Sequence, residues 1–192
     1  TGNITAERFY NATGTTNQHY MGSPVSTTLA QFGAGSSSGF VTPKPTCDET
    51  ALASTSVYGS VFSYDQSNGA SCSLAGWRVE AGSTAATAAK GFAVTKTGSG
   101  TLSVSGAPNT ATSYGQSGTN SGWSNTSLQS RPMTAGWVLV SNPYLAYLDF
   151  TTQGAPANFT SEVKVWRTTG PLAGTYQDLQ AGEMIAPFQG FF

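Results

Sequence analysis

Lys90 to Ser105 reads KGFAVTKTGSGTLSVS, and the fold class turns on how this stretch is read. KGFAVT (Lys90 to Thr95) and TLSVS (Thr101 to Ser105) are short runs of β-formers, with Phe92 and Val94, then Leu102 and Val104, at alternate positions. That period of two belongs to strands, and the Gly-rich KTGSG between them is turn-prone, so the spacing predicts two strands joined by a tight connection. The same signature recurs at Ile4 to Tyr10 (ITAERFY), Ser56 to Tyr64 (SVYGSVFSY), Gly76 to Glu80 (GWRVE), Trp137 to Val140 (WVLV), Val163 to Arg167 (VKVWR) and Met184 to Phe192, the last interrupted by Pro187. Gly, Asn-Gly and Pro punctuate the intervals. Ala81 to Lys90 (AGSTAATAAK) is rich in alanine but short, and no segment carries a sustained helical stripe. The expected fold is all-β: an antiparallel two-sheet β-sandwich, Ig-like or jelly-roll-like, with long Gly/Ser/Thr loops. The loosest stretches are 22–46 and 107–131, small, polar and rich in Pro and Gly. No linker divides the chain, so residues 1–192 are read as one β-rich module.

Composition narrows the function classes. Of the 192 residues, 38% are hydrophobic and 11% aromatic, enough for a packed core, while only 9% are charged. Soluble domains usually carry roughly 25% charged residues, so solubility here rests on hydroxyls and amides. A net charge of -1 gives no footprint for nucleic acid, which calls for clustered Lys and Arg. No apolar run reaches transmembrane length, so no membrane insertion is expected. Little like-charge repulsion opposes contact with other copies or neighbouring modules. Cys47 and Cys72 flank the strand-like SVYGSVFSYD. They read as one structural disulfide formed in an oxidising compartment, worth about 3 kcal/mol by loop closure; the alternative is two buried thiols. With the single His19 they offer too few ligands for a metal, and no cofactor is implied.

The densest apolar run, GWVLVSNPYLAYLDF (Gly136 to Phe150), resembles the pattern G-W-x-L-V-x-N-P-Y-x-x-x-L/I-D-W/F of large secreted and surface proteins of the Bacteroidota, cargo of the type IX secretion system. Other segments resemble the same family in the same order. GNITAERFY is similar to its G-N-V-T-V-E-R-Y/F start, followed by MGSPV (Met21 to Val25). FSYDQSNG with GWRVE, AAKGFAVTKTGSGTLSVSGAPNTA, VKVWRTTG and MIAPFQGFF resemble its YDE…GW pair, its GKGYAV…TLTFSGTPNTG hairpin, VYVWD…G and IAPGQGFFV. Two departures stand out: Phe188 replaces the usual Gly, and Arg167 the usual carboxylate. By this pattern the chain stops in mid-strand, as a trimmed or processed piece would. The resemblance implies a β-rich module of an extracellular, cell-surface, adhesin-like protein, with no catalytic residues to transfer.

The chemistry-bearing residues agree with a non-enzymatic reading. His19 lies in the turn-like TTNQHYMG with no Gly-x-Ser-x-Gly elbow, and a surface or capping role fits it better than a triad. Asp65 and Asp149 read as turn-formers without an acidic partner in sequence. Trp77, Trp137 and Trp166 read as core anchors. Trp123, Tyr114, Tyr144 and Tyr147 are the candidates for stacking on a ligand, with glycans as the partner class; for Tyr144 and Tyr147 the competing reading is closure of the sandwich edge. Trp123, in its Ser/Asn/Gly loop, is the strongest of the four. The low charge and the strand-like first and last segments also suggest self-assembly through sheet edges, with the IAPFQGFF end free to pair with another chain.

Overall fold

A computed structural model describes residues 2–10, 18–33, 61–64, 77–80, 82–95, 99–110, 137–149, 162–168, 170–180 and 182–192. Within them the chain is all-β. The strands are β1 (Ile4–Tyr10), β2 (Gln18–Met21), β3 (Val25–Ser26), β4 (Val61–Tyr64), β5 (Trp77–Val79), β6 (Phe92–Thr95), β7 (Gly100–Pro108), β8 (Val140–Ser141), β9 (Lys164–Arg167), β10 (Thr175–Asp178) and β11 (Gly190–Phe191); a single helical turn, α1, spans Ala30–Gly33. All pairings are antiparallel, in sheets ordered β1-β7-β3, β2-β6-β4-β5, β10-β9 and β11-β8.

The stretch Lys90 to Ser105 does form two strands, but they are not a hairpin. β6 lies between β2 and β4, whereas β7 lies between β1 and β3 in another sheet. The reason is burial. Phe92 and Val94 of β6 and Leu102 and Val104 of β7 fill one core from opposite sides, with Met21, Val61, Ala6, Val25 and Phe32. Paired side by side, these residues would share a plane and leave that face uncovered. Gly106 permits the close approach of β3, since a Cβ there would sit 1.9 Å from the Ser26 carbonyl oxygen.

The four-stranded sheet is covered on its other face too. Register places Tyr20 opposite Ala93, and Ala93 opposite Phe62. These side chains, with Tyr64, pack on Leu139, Trp166 and Phe192. β2 therefore carries Met21 into one core and Tyr20 into the other. His19, expected at the surface, is buried opposite Val94, its ring edge-on to Tyr10 at 5.4 Å. Trp137, expected as a core anchor, is 40% exposed; the anchors of that segment are Val138, Leu139 and Val140. Trp166 does pack in the second core, and the Trp77 side chain lies outside the described residues.

Residues 184–192 are not a free end. Gly190 and Phe191 pair with Ser141 and Val140, and Phe192 exchanges backbone hydrogen bonds of 2.7 and 2.9 Å with Lys164. Gln189 bridges to Met21, and the Gly22 amide donates to the Phe188 carbonyl at 2.9 Å. One short segment thus joins β2, β8 and β9. Arg167 pairs with Glu183 at 2.9 Å, and Lys164 pairs with Glu162 beside it and with Asp178 across the β9–β10 ribbon.

Gly190 sits where backbones cross: a Cβ would meet the Tyr20 carbonyl carbon at 2.8 Å and the Met21 nitrogen at 2.9 Å. Neither atom can swing aside. Gly190→Ala should therefore cost about 1–3 kcal/mol, as overpacking does, measured by urea unfolding; an unchanged midpoint would contradict this account of the crossing.

Candidate binding face at the Asn142 corner

After β8 the chain turns at Asn142-Pro143, and the Asn142 side chain is fully buried. Its amide donates to the Ala146 carbonyl at 2.8 Å and to the Ile185 carbonyl at 3.0 Å, while its oxygen accepts from the Tyr144 amide at 2.9 Å. The last contact is an Asx-turn, which Asn favours because its side chain mimics the backbone. Asn109 donates to the Ser23 and Pro143 carbonyls at 2.9 and 3.2 Å, tying the end of β7 to the same corner. Leu148 and Ile185 then exchange paired hydrogen bonds of 2.9 Å, and both side chains point into the third cluster with Val138, Val163, Val165 and Phe191.

That bridge decides what faces outward. With Leu148 and Ile185 inward, strand alternation turns Tyr147 and Asp149, and across from them Ala186 and Met184, the other way. Tyr147 is 68% exposed and Met184 53%; Leu145 is exposed on the turn. Tyr144 is half-buried, and burial raises its phenol above the usual range.

β1 brings the remaining group. Its inward register positions are Ile4, Ala6, Arg8 and Tyr10, and Arg8 reaches past the core to donate to the Pro187 carbonyl at 2.5 Å. Burial lowers the Arg8 pKa, and the nearby Tyr147 phenol offsets part of that. Arg8 thus ties β1 to the 185–189 segment through the Pro187 carbonyl.

Of the candidates from sequence, Tyr147 lies on this face and Tyr144 at its inner margin. Trp123 and Tyr114, like Cys47 and Cys72, lie outside the described residues. Arg8 and Met184 were not singled out, though Arg8 left a signal: it is a charge at an inward position of an alternating strand. Among the described residues no cluster of His, Cys, Asp or Glu has the makings of a metal site, and no helix is long and apolar enough to cross a membrane. Comparisons with known protein families, characterised proteins and solved structures find no match.

The corner's structural and exposed residues should separate on substitution. Asn142→Ala strands two carbonyls and an amide and should cost about 2–4 kcal/mol, whereas Tyr147→Ala should stay within about 0.5 kcal/mol of the parent. Thermal and urea unfolding of both variants check this; similar losses would refute the division.

On the far side of the second core, Tyr20 and Tyr176 share a hydroxyl–hydroxyl bond of 2.5 Å, with Trp166 and Phe192 against both rings. Burial, then that bond, push the Tyr20 phenol above the ordinary tyrosine value of 10.0. Its neutral form is the one the fold favours, so this contribution is complete below pH 10.0 and is lost as pH rises above it. Tyr20→Phe should cost about 1 kcal/mol at neutral pH, and the gap from the parent should narrow in alkali. A gap constant with pH, read from denaturant titrations, would contradict the assignment.

Proposed function

We propose that this chain is a non-enzymatic structural and adhesive module of a bacterial surface protein, of the Bacteroidota type exported by the type IX secretion system, and that it acts outside the cell. The observation that carries the reading is where the family-like motifs meet. Arg8 of GNITAERFY, Asn142 of GWVLVSNPY, and Ile185 and Pro187 of MIAPFQGFF converge on one corner, where Arg8 donates to the Pro187 carbonyl and Asn142 to the Ile185 carbonyl. Such residues hold a framework together; they are not arranged around a reacting atom. In this reading the β1-β7-β3 and β2-β6-β4-β5 sheets are the halves of an Ig-like or jelly-roll-like sandwich, supported by the core they share.

Self-assembly into a surface fibre belongs to the same proposal. The 185–191 segment is already paired within the chain, which favours another edge for it. β1, whose only described partner is β7, is the longest candidate edge. The second reading is a non-catalytic carbohydrate-binding module, favoured by the exposure of Tyr147. Light scattering and negative-stain microscopy of the full chain at high concentration, alongside a glycan array, separate the two. Ordered polymers without glycan binding support the fibre. Glycan binding by a monomer, lost in Trp123→Ala, supports the binding module. A monomer that neither assembles nor binds would overturn the adhesive proposal.

A further inference from the structure

Two parts of the chain are built to one plan. β4 pairs with β5 so that Phe62 lies opposite Val79 and Tyr64 opposite Trp77; β9 pairs with β10 so that Lys164 lies opposite Asp178 and Trp166 opposite Tyr176. The next residue closes each ribbon, Glu80 donating to the Val61 carbonyl at 3.0 Å and Leu179 to the Val163 carbonyl at 2.9 Å. Phe62 is also opposite Ala93, and Lys164 exchanges hydrogen bonds with Phe192. β2 then runs beside β6 with Met21 opposite Phe92, as β8 runs beside β11 with Val140 opposite Phe191. Both parts hold the same tight turn. The Lys90 amide donates to the Thr87 carbonyl and the Gln189 amide to that of Ala186, each at 3.0 Å, and Ala89 and Phe188 both have a φ of 65° just before them. Residues 77–93 and 176–192 match in this way without an insertion, although their sequences share little beyond the Gly-Phe that follows the turn.

The two units meet as the partners of a two-fold axis do. The Gly22 amide donates to the Phe188 carbonyl at 2.9 Å; Ser141, which holds the place of Gly22, donates to the Ala89 carbonyl at 2.9 Å. Met21 bridges to Gln189, and Val140 bridges to Lys90. Each turn enters the other unit's core, Phe188 joining Met21 and Phe92, and Ala89 joining Val140 and Phe191. The equivalent residues Tyr20 and Leu139 share the cluster between the units. Contacts that recur with their partners interchanged are those of a symmetric dimer interface.

We propose that the chain is one β-unit used twice, and that the seam between the units is the surface that joins a second copy of the chain, by exchange of the 137–192 unit. This rests on the fibre reading and names how the copies join. A second copy is the occupant because the seam is already complementary to it. Whatever the 137–192 unit of one copy offers residues 18–95, that of a neighbour offers equally, so exchange loses no contact. β1 and β7 stay with the first unit, whose core they cover. Residues 111–136 are the covalent link between the units, and a partner tethered through a connection competes at an effective concentration of about millimolar or less. Neighbours crowded on a surface approach that concentration. Mutual exchange closes a dimer, whereas each copy giving its second unit to the next runs on as a fibre.

The test uses the full chain carrying a site for a sequence-specific protease between Asn120 and Ser121, in isotope-labelled and unlabelled forms mixed equally. The mixture is unfolded in urea and refolded at about 1 mM and at about a thousandfold dilution. Light scattering and native mass spectrometry then size it before and after cutting. The concentrated sample should give dimers and longer species, the dilute one monomers. Cutting should reduce each assembly to particles of monomer mass, because only the connection then ties one copy to the next. Those particles should include hybrids of a labelled first unit with an unlabelled second, absent from the dilute sample. Cut particles without hybrids, or no assembly in the concentrated sample, would overturn the exchange. So would assemblies that keep their mass after cutting, since the copies would then be joined at an outer edge such as β1. That last result, or glycan binding by a chain that stays monomeric, refutes the exchange and leaves the adhesive reading intact.

Discussion

The buried side-chain amide of Asn142 is the constraint on which the other contacts depend. An amide placed out of water costs stability unless its hydrogen bonds are met, and here both a donor pair and the acceptor are used within the corner. Asp would bring a charge and no donor for the two carbonyls; Gln would overshoot the Asx-turn by a methylene. With the amide satisfied, residues 142–148 are held against 185–189, and the backbone of Asn142 itself donates to the Gln189 carbonyl. That positions Leu148 on Ile185 and, through Phe191, β8 on β11. β1 and β7 reach the same place by side chains, Arg8 to Pro187 and Asn109 to Pro143.

Residue usage follows from this geometry. A chain with few charges cannot stabilise its layers by ion-pair networks, and the described pairs sit at the periphery of the β9–β10 ribbon and beside β6. What holds the layers is apolar area on both faces of the four-stranded sheet: aliphatic and Phe side chains on one side, Tyr and Trp rings on the other. The aromatic side tolerates hydroxyls because Tyr20 and Tyr176 bond each other. Thr5 and Ser105 face solvent across β1 and β7, joined at 2.8 Å, while Ser23, Ser63 and Ser141 are buried.

The strands with one face in water disclosed themselves by alternation, whereas β6, buried on both faces, was legible from its run of β-formers between turn signals. β1 and β7 alternate cleanly because every second residue is exposed. β2 was missed: His19, Tyr20 and Met21 are all buried, so QHYM carries no period to read. WVLV misled in a related way. Val138 and Val140 belong to one cluster and Leu139 to another, so the alternation is between two cores, and Trp137 lies beyond the point where the second is closed. β10 is largely exposed and pairs only with β9, so TYQD had no apolar pattern to show. The connection of β6 to β7 looked like a hairpin because turn chemistry is local, while the choice of sheet is set by which residues share a core. Of the corner, the exposed Tyr147 was legible as an aromatic without a required core role; the part played by Arg8 needed the register of β1.

Phe188 shows how far the corner over-determines its backbone. Its φ is 65°, a conformation that glycine adopts freely and that costs a bulky residue about 1–2 kcal/mol. Here the ring is buried in the main core with Phe92 and Met21, which offsets the strain, while Gln189 and Gly22 hold the flanking backbone. The conformation of the turn is therefore a property of the contacts around it and does not require glycine. The same logic applies to the outward side of the corner. Tyr147, Met184 and Leu145 have no part in the amide knot, so their identities are free to change without disturbing it. A framework of this kind separates the residues that keep its shape from those that meet its surroundings, so the outward side can change while the fold that presents it is kept.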